Sequence, residues 1–406
     1  MRDTPPVPAV SPLPGGMAAA GSARKAHPDA GVWVERLLPF GLVLSPPVGL
    51  ALALGLTLAR RSRFARLRSH RHTLVAAGAL AALGVASALG AFSPFAAATG
   101  LVAMAVLWWL WAVGRFAVDD GPGFVRSIQR ATALVGLAAL AVAFSGAQLR
   151  VPFGSSGPSL TLWGPENKGT VLGLGGNGLG PLLVFGAILG LGRAAYDRRW
   201  WARAEGLAVA AVNLAAPLAL NVRNALWGGV VGAAALLPLA GPAVVGAVAA
   251  VGFAVMRLQP QLWGRMVALL DWQTEQARWG VWKAAWQMIR ERPWLGVGPN
   301  QFARVHPAYA LPESAHLTDP HNIYLRVAAE WGVPAALLFF GWVVGDLAFV
   351  WRLRAQPYRW ALAAAVIGFL AMGLFDTPLF TLHISGPVLV GLGVAGGAWP
   401  GGETGS

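Results

Sequence analysis

The chain has 406 residues, of which 56% are hydrophobic and only 12% charged, with a net charge of +14 and no Cys. This composition excludes a soluble domain of that length, and the missing thiols exclude disulfides, thiolate catalysis and Cys-ligated metals. In a soluble protein the positive charge would point to nucleic acid; here most of it lies in short basic loops that orient helices, so no nucleic-acid partner is expected.

Apolar runs of about 20 residues, enough to cross a hydrocarbon core, recur along most of the chain. Lipid offers no hydrogen bonds to a backbone, and runs this rich in Ala, Leu and Val satisfy their own as helices. The predicted class is all-α, a polytopic integral membrane helical bundle whose first partner is the lipid bilayer.

In chain order, residues 1–30 are rich in Pro, Ala and Gly, with Arg24 and Lys25, and lack a signal-peptide core. They are expected to form a disordered cytoplasmic tail. N-terminal transmembrane helices are expected over 31–256. The stretch from Val32 to Ala59 is interrupted by Glu35-Arg36 and Ser45-Pro46-Pro47, so it is one kinked span or two short ones. Further spans are predicted near 73–92, 95–114, 131–149, 178–193, 204–221, 224–239 and 241–256, then 333–351, 361–376 and 378–397. Basic loops at Arg60–Arg68, Arg193–Arg203 and Arg352–Arg354 belong in the cytoplasm by the positive-inside rule. Counting from them puts the loop 257–320 and the turn carrying Arg223 outside. With 32–59 as a hairpin, both termini are cytoplasmic and the total is about twelve helices. C-terminal transmembrane helices over 321–398 and a flexible tail, 399–406, complete the division.

Within the long loop, Gln276 to Arg290 has helical periodicity. Trp279, Trp282, Trp286 and Ile289 share one face, expected against the membrane interface. At about 100° per residue, Arg278 and Arg290 sit at its two borders, and the wheel does not choose between them. The loop holds seven basic against five acidic residues, so specific Arg positions rather than bulk charge would have to bind an anion.

Asp319-Pro320-His321-Asn322 reads as a helix start with Asp at the N-cap and Pro at the first helical position. His321 would then lie in the first turn, where the helix dipole disfavours imidazolium. A neutral imidazole can accept a proton, as a general base must; capping alone is the plainer alternative. Arg223, in a turn between two apolar helices, either snorkels to the interface or faces a cavity, where its planar fork suits a diphosphate. Gly296-Val297-Gly298 could expose backbone N–H groups to an anion, although an ordinary glycine turn has the same pattern. The glycine-rich 173–180 stretch lacks the Lys-Ser/Thr of a nucleotide loop, and His306 and His316 lack metal spacing. Asp376 and His383 flank the last turn and are given at most a minor role.

Taken together, these residues resemble the bacterial O-antigen ligase and O-antigen polymerase membrane proteins. The likeness rests on Arg278-Trp279-x-x-Trp282, then Pro293-Trp294-Leu295-Gly296-Val297-Gly298-x-Asn300-x-Phe302, then Pro320-His321-Asn322-x-Tyr324-Leu325 and Glu330-x-Gly332. It implies a GT-C-like membrane glycosyltransferase in the bacterial cytoplasmic (inner) membrane, with its site facing the periplasm. The donor it implies is a polyprenyl (undecaprenyl) diphosphate-linked glycan and the acceptor a lipid, glycan or protein, with neither cofactor nor metal. The ligase branch implies two arginines and one histidine as catalytic residues, corresponding here to Arg223, Arg278 and His321. The resemblance is what selects Arg278 over Arg290. The chain departs from the family in having Val222 where Ser often precedes this Arg. Gly296, Gly298, Asn322 and Tyr324 are the expected substrate-binding supports. A polymerase of the same family is the nearest alternative. A transporter or flippase fits less well, because the spans between 73 and 256 carry almost no ionisable residues away from their ends.

Overall fold

The computed structural model describes residues 30–145, 148–152, 159–164, 170–220, 222–239, 246 and 276–397. The tails 1–29 and 398–406, the span expected at 241–256 (position 246 apart) and the first part of the long loop lie outside the described residues. Nearly everything described is helical, as the apolar runs require. α1 (Ala30–Leu44) and α2 (Pro46–Ala59) lead through a 3-10 helix, Arg61–Ser69, into α3 (Arg71–Leu89), α4 (Pro94–Ala117) and α5 (Gly121–Ser145). After a small sheet come α6 (Gly176–Tyr196), α7 (Trp200–Ala219) and α8 (Arg223–Ala235). The loop region contributes α9 (Gln276–Glu291) and the single turn α10 (Phe302–Val305). Then follow α11 (Ile323–Trp331), α12 (Val333–Arg352), α13 (Pro357–Met372) and α14 (Leu382–Gly396). The sheet was not foreseen. Its strands β1 (Leu149–Pro152), β2 (Ser159–Gly164) and β3 (Thr170–Val171) pair antiparallel in that order, with a register shift between Leu149 and Arg150.

Among the described residues five helices, α3, α4, α5, α6 and α12, are long and apolar enough to cross a membrane. α1 and α2 form two helices rather than one, because Pro46 and Pro47 open the second with no N–H to give the first. At 15 and 14 residues, each is about 22 Å long, short of a hydrocarbon core of about 30 Å. They close on each other at glycine: a Cβ on Gly41 would stand 2.8 Å from the Gly49 backbone.

The bundle has two chemically distinct ends. At one, Arg60 pairs with Glu35 and, at 3.0 Å, with Asp119, while Glu35 accepts the N–H groups of Asp119 and Asp120 ahead of α5. The pair Glu35-Arg36, which interrupts the first apolar run, is thus a cap for another helix. Arg193 meets Glu205 at 2.9 Å at this end, and Arg359 donates to Ala395 O at 2.9 Å. All three basic loops lie here. At the opposite end Ser93, the N-cap of α4, exchanges two hydrogen bonds with the Gln301 side chain (3.0 and 2.9 Å). Ser87, near the end of α3, donates to Glu330 O at 3.0 Å. The loop region therefore sits across the bundle from the arginine-rich turns. Between the ends, apolar packing around Trp111, Phe124, Phe185 and Leu110 is joined by a buried polar link, Asn213 to Thr132 at 3.0 Å.

Candidate active site

The scaffold of the site is the glycine turn after α9. Gly296 and Gly298 have φ of +66° and +105°, backbone open to glycine at little cost. A Cβ on Gly296 would stand 2.5 Å from Ala329 O. That close approach lets Val297 N–H and Gly298 N–H donate, each at 2.9 Å, to Ala329 O and Glu330 O, the unpaired carbonyls ending α11. These two groups are committed inside the protein and form no anion nest; the stretch is the ordinary glycine turn that its pattern also allowed. Glu330, fully buried, accepts Asn300 N–H and Phe302 N–H at 3.0 Å each and so fixes the far side of the turn.

α9 docks on this scaffold through Val281, Ala285, Met288 and Ile289, which pack with Val297, Phe302 and Ala329. Trp279 and Trp286 remain on the outside, and the Trp282 Nε1–H reaches in to Pro320 O at 2.8 Å. Sequence periodicity found the indoles but not the second, protein-facing stripe. That stripe separates the two arginines left open by the wheel: Arg278 is half-buried and Arg290 is exposed.

His321 departs from its expected place. Asn322, not Asp319, is the N-cap: its Oδ1 accepts the N–H groups of Tyr324 and Leu325 at 3.0 Å each, and α11 begins at Ile323. Asp319 instead accepts the His321 backbone N–H at 2.8 Å, an Asx turn that holds His321 at φ +48°. A left-handed non-glycine residue costs about 1–2 kcal/mol, so the surrounding bonds must hold it there. Asn322 further donates to Leu374 O (3.1 Å) and Tyr324 to Leu370 O (2.9 Å), pinning α11 to the end of α13. As bonded here, both residues brace His321.

The imidazole Nδ1 of His321 faces the Asp376 carboxylate at 3.5 Å. This hydrogen bond, with the charges of Asp319 and Asp376, raises the imidazole pKa above its ordinary 6.5; burial and the nearby Arg278 guanidinium oppose it. The direction reverses the neutral-imidazole expectation, because a specific carboxylate outweighs a helix dipole that His321 does not directly abut. Asp376 is itself held by Thr377 N–H (2.8 Å) and by Asn224 Nδ2 (2.7 Å), the residue after Arg223. Phe375 lies between Trp227 of α8, ring centroids 6.4 Å apart, and Trp282 of α9, 6.5 Å apart. Trp227 and Trp282 are each four residues after an arginine, Arg223 and Arg278. Phe375-Asp376 therefore ties together the opening of α8, the second turn of α9 and His321.

Residues 170–340 match the family model described as O-antigen ligase. This stretch of the chain is similar to the O-antigen ligase family. The O-antigen ligase of Pseudomonas aeruginosa aligns with it at 31% identity over 100 residues, covering 25% of this chain and 24% of the relative. The alignment thus spans about a quarter of that relative's length. Within the O-antigen ligase match lie Arg223, Arg278, the glycine turn and His321; Asp376 lies beyond it. Sequence reasoning gave Asp376 at most a minor role, which its contacts with His321 and Asn224 correct, and it missed Asn224. The signal for Asp376 was a lone carboxylate between two apolar runs drawn end to end, where an intervening loop had no room. Among the described residues, no group of three or more His, Asp or Glu is arranged to hold a metal.

Proposed function

We propose that this multi-pass membrane protein is an inverting, metal-independent glycosyltransferase that moves a glycan from a polyprenyl diphosphate to an acceptor hydroxyl, as an O-antigen ligase. The reading rests above all on one juxtaposition: an imidazole held by a carboxylate, beside the turns bearing two arginines. His321 takes the hydroxyl proton at Nε2 while Asp376 holds Nδ1–H. The acceptor oxygen attacks the anomeric carbon, the bond to the diphosphate oxygen breaks, and the leaving group departs with its electron pair. Arg223 and Arg278 bind the diphosphate and stabilise the charge it gains. Gly296 and Gly298 shape the loop, and Asn322 and Tyr324 support the base. A raised pKa makes His321 the stronger base once deprotonated, at the cost of a smaller deprotonated fraction at neutral pH.

We read the helices as a bundle of about twelve spans, GT-C-like, with the three arginine-rich turns in the cytoplasm and the site on the periplasmic side of the inner membrane. The position of the site at the end remote from those turns supports this orientation. A polymerase of the same family would use the same groups on a lipid-linked acceptor.

The test is transfer from a polyprenyl-diphosphate-linked glycan by purified protein. His321→Ala should lower turnover by about 10²–10⁴, the usual value of a placed base. Unchanged turnover in a folded variant removes His321 from the reaction.

A further inference from the structure

Two carboxylates flank His321, and only one meets its ring. Asp319 has both oxygens engaged: Oδ1 accepts the His321 backbone N–H and the Thr377 hydroxyl, each at 2.8 Å, and Oδ2 pairs with Arg326. Arg326 is fixed in turn from two sides. Its Nε lies 3.4 Å from the buried Glu330 carboxylate, and its guanidinium stands 3.9 Å over the Phe380 ring. Glu330 holds the glycine turn, so a continuous line of charge-assisted bonds runs from that turn to the backbone of His321.

We propose that Asp319 and Arg326 are positioning residues for His321. Asp319 keeps the histidine in its left-handed conformation, which turns the imidazole toward Asp376. Arg326 occupies the second Asp319 oxygen and so prevents that carboxylate from taking the ring. Left unpaired, Asp319 would compete with Asp376 for the imidazole and aim it elsewhere. This inference rests on His321 acting as the base. The charged groups acting on the imidazole are Asp376 from the loop before α14, Asp319 from its own segment and Arg278 from α9. Arg326 of α11 acts through its pair with Asp319.

The test compares D319N, D319A, R326Q and R326K by the pH dependence of kcat/KM and by histidine-selective NMR titration of His321 in the full-length protein in detergent. The two sides of one ion pair should move the His321 midpoint in opposite directions. D319N removes a negative charge but keeps an oxygen for the backbone N–H, and lowers the midpoint by about half a unit. That is less than the 1–3 units of a closely placed opposite charge, because Asp319 bonds the His321 backbone and not its ring. R326Q frees the Asp319 carboxylate and raises the midpoint, with kcat falling at neutral pH and recovering in part as pH rises. R326K restores the midpoint. D319A, which loses the turn, lowers kcat about tenfold or more at every pH.

Shifts in the same direction, or midpoints unmoved in D319N and R326Q, would overturn the proposal. The NMR arm is read without turnover. If the protein transfers no glycan but the midpoints move oppositely, the proposed reaction fails while the positioning claim stands.

Discussion

At the residue scale, the imidazole–carboxylate pair governs how the protein should answer to pH. The raised pKa of His321 has Asp376 as its largest cause. Asp376→Asn keeps the shape of the side chain and removes the charge, so the rising limb of kcat/KM should move to lower pH by about one unit. The maximal rate should fall as well, since an amide no longer selects the Nδ1–H tautomer. Stability follows the same sign. A histidine with a raised folded pKa stabilises the fold below its ordinary 6.5 and loses that contribution as pH rises through the folded value. In the Asn variant this slope, read from thermal midpoints between acid and mildly alkaline pH, should flatten; a slope and limb identical to the parent protein would detach Asp376 from His321. His321 itself was legible from Pro320-His321-Asn322, but its partner was not. The contact joins positions 55 apart in the chain, and nothing local marks Asp376 as the end of that contact.

At the element scale, apolar length located most helices to within a few residues and failed where a polar residue decided the boundary. The runs expected at 361–376 and 378–397 are helices Pro357–Met372 and Leu382–Gly396, and the segment between them is the loop that carries Asp376. Hydropathy cannot place that loop, because Leu374, Phe375, Leu379 and Phe380 are as apolar as a span. The three short strands escaped for a related reason, being too brief for a period-two pattern to stand out. Packing between helices was not legible in detail either. α6 and α7 meet where Gly190 and Gly206 face each other: a Cβ on Gly190 would stand 2.6 Å from Gly206 O, and one on Gly206 would stand 2.7 Å from Gly190 O. Both clashes are with backbone, which cannot rotate away, so the helices must part. Gly190→Val or Gly206→Val should therefore cost about 1–3 kcal/mol, the usual toll of overpacking, and lower the thermal midpoint in detergent. Gly55 has nothing within 4 Å of an added Cβ, and Gly55→Ala should leave the midpoint almost unchanged. Equal midpoints for the α6–α7 variants and Gly55→Ala would show that this crossing is looser than drawn.

At the scale of the whole molecule, the distribution of charge gives the strongest tie between sequence and arrangement. The arginine-rich turns were read from sequence as one side of a membrane, and the fold gathers them at the end where Arg60, Arg193 and Arg359 find their partners. The loop region with His321 lies at the other. Alternation explains the result: each helix that leaves the arginine-rich end must return, and α3, α7, α8, α12 and α13 all turn at the site end through residues that touch it or adjoin it. Orientation in the bilayer then follows from where the arginines sit, and the lack of native Cys makes it directly measurable. Single substitutions Ala308→Cys, exposed in the loop region, and Ser62→Cys, exposed at the arginine-rich end, mark the two sides. In intact cells a membrane-impermeant maleimide should label the first and leave the second untouched until the membrane is permeabilised. The reverse pattern would put His321 in the cytoplasm, where an exported lipid-linked glycan is out of reach, and the proposed reaction would fail with the topology.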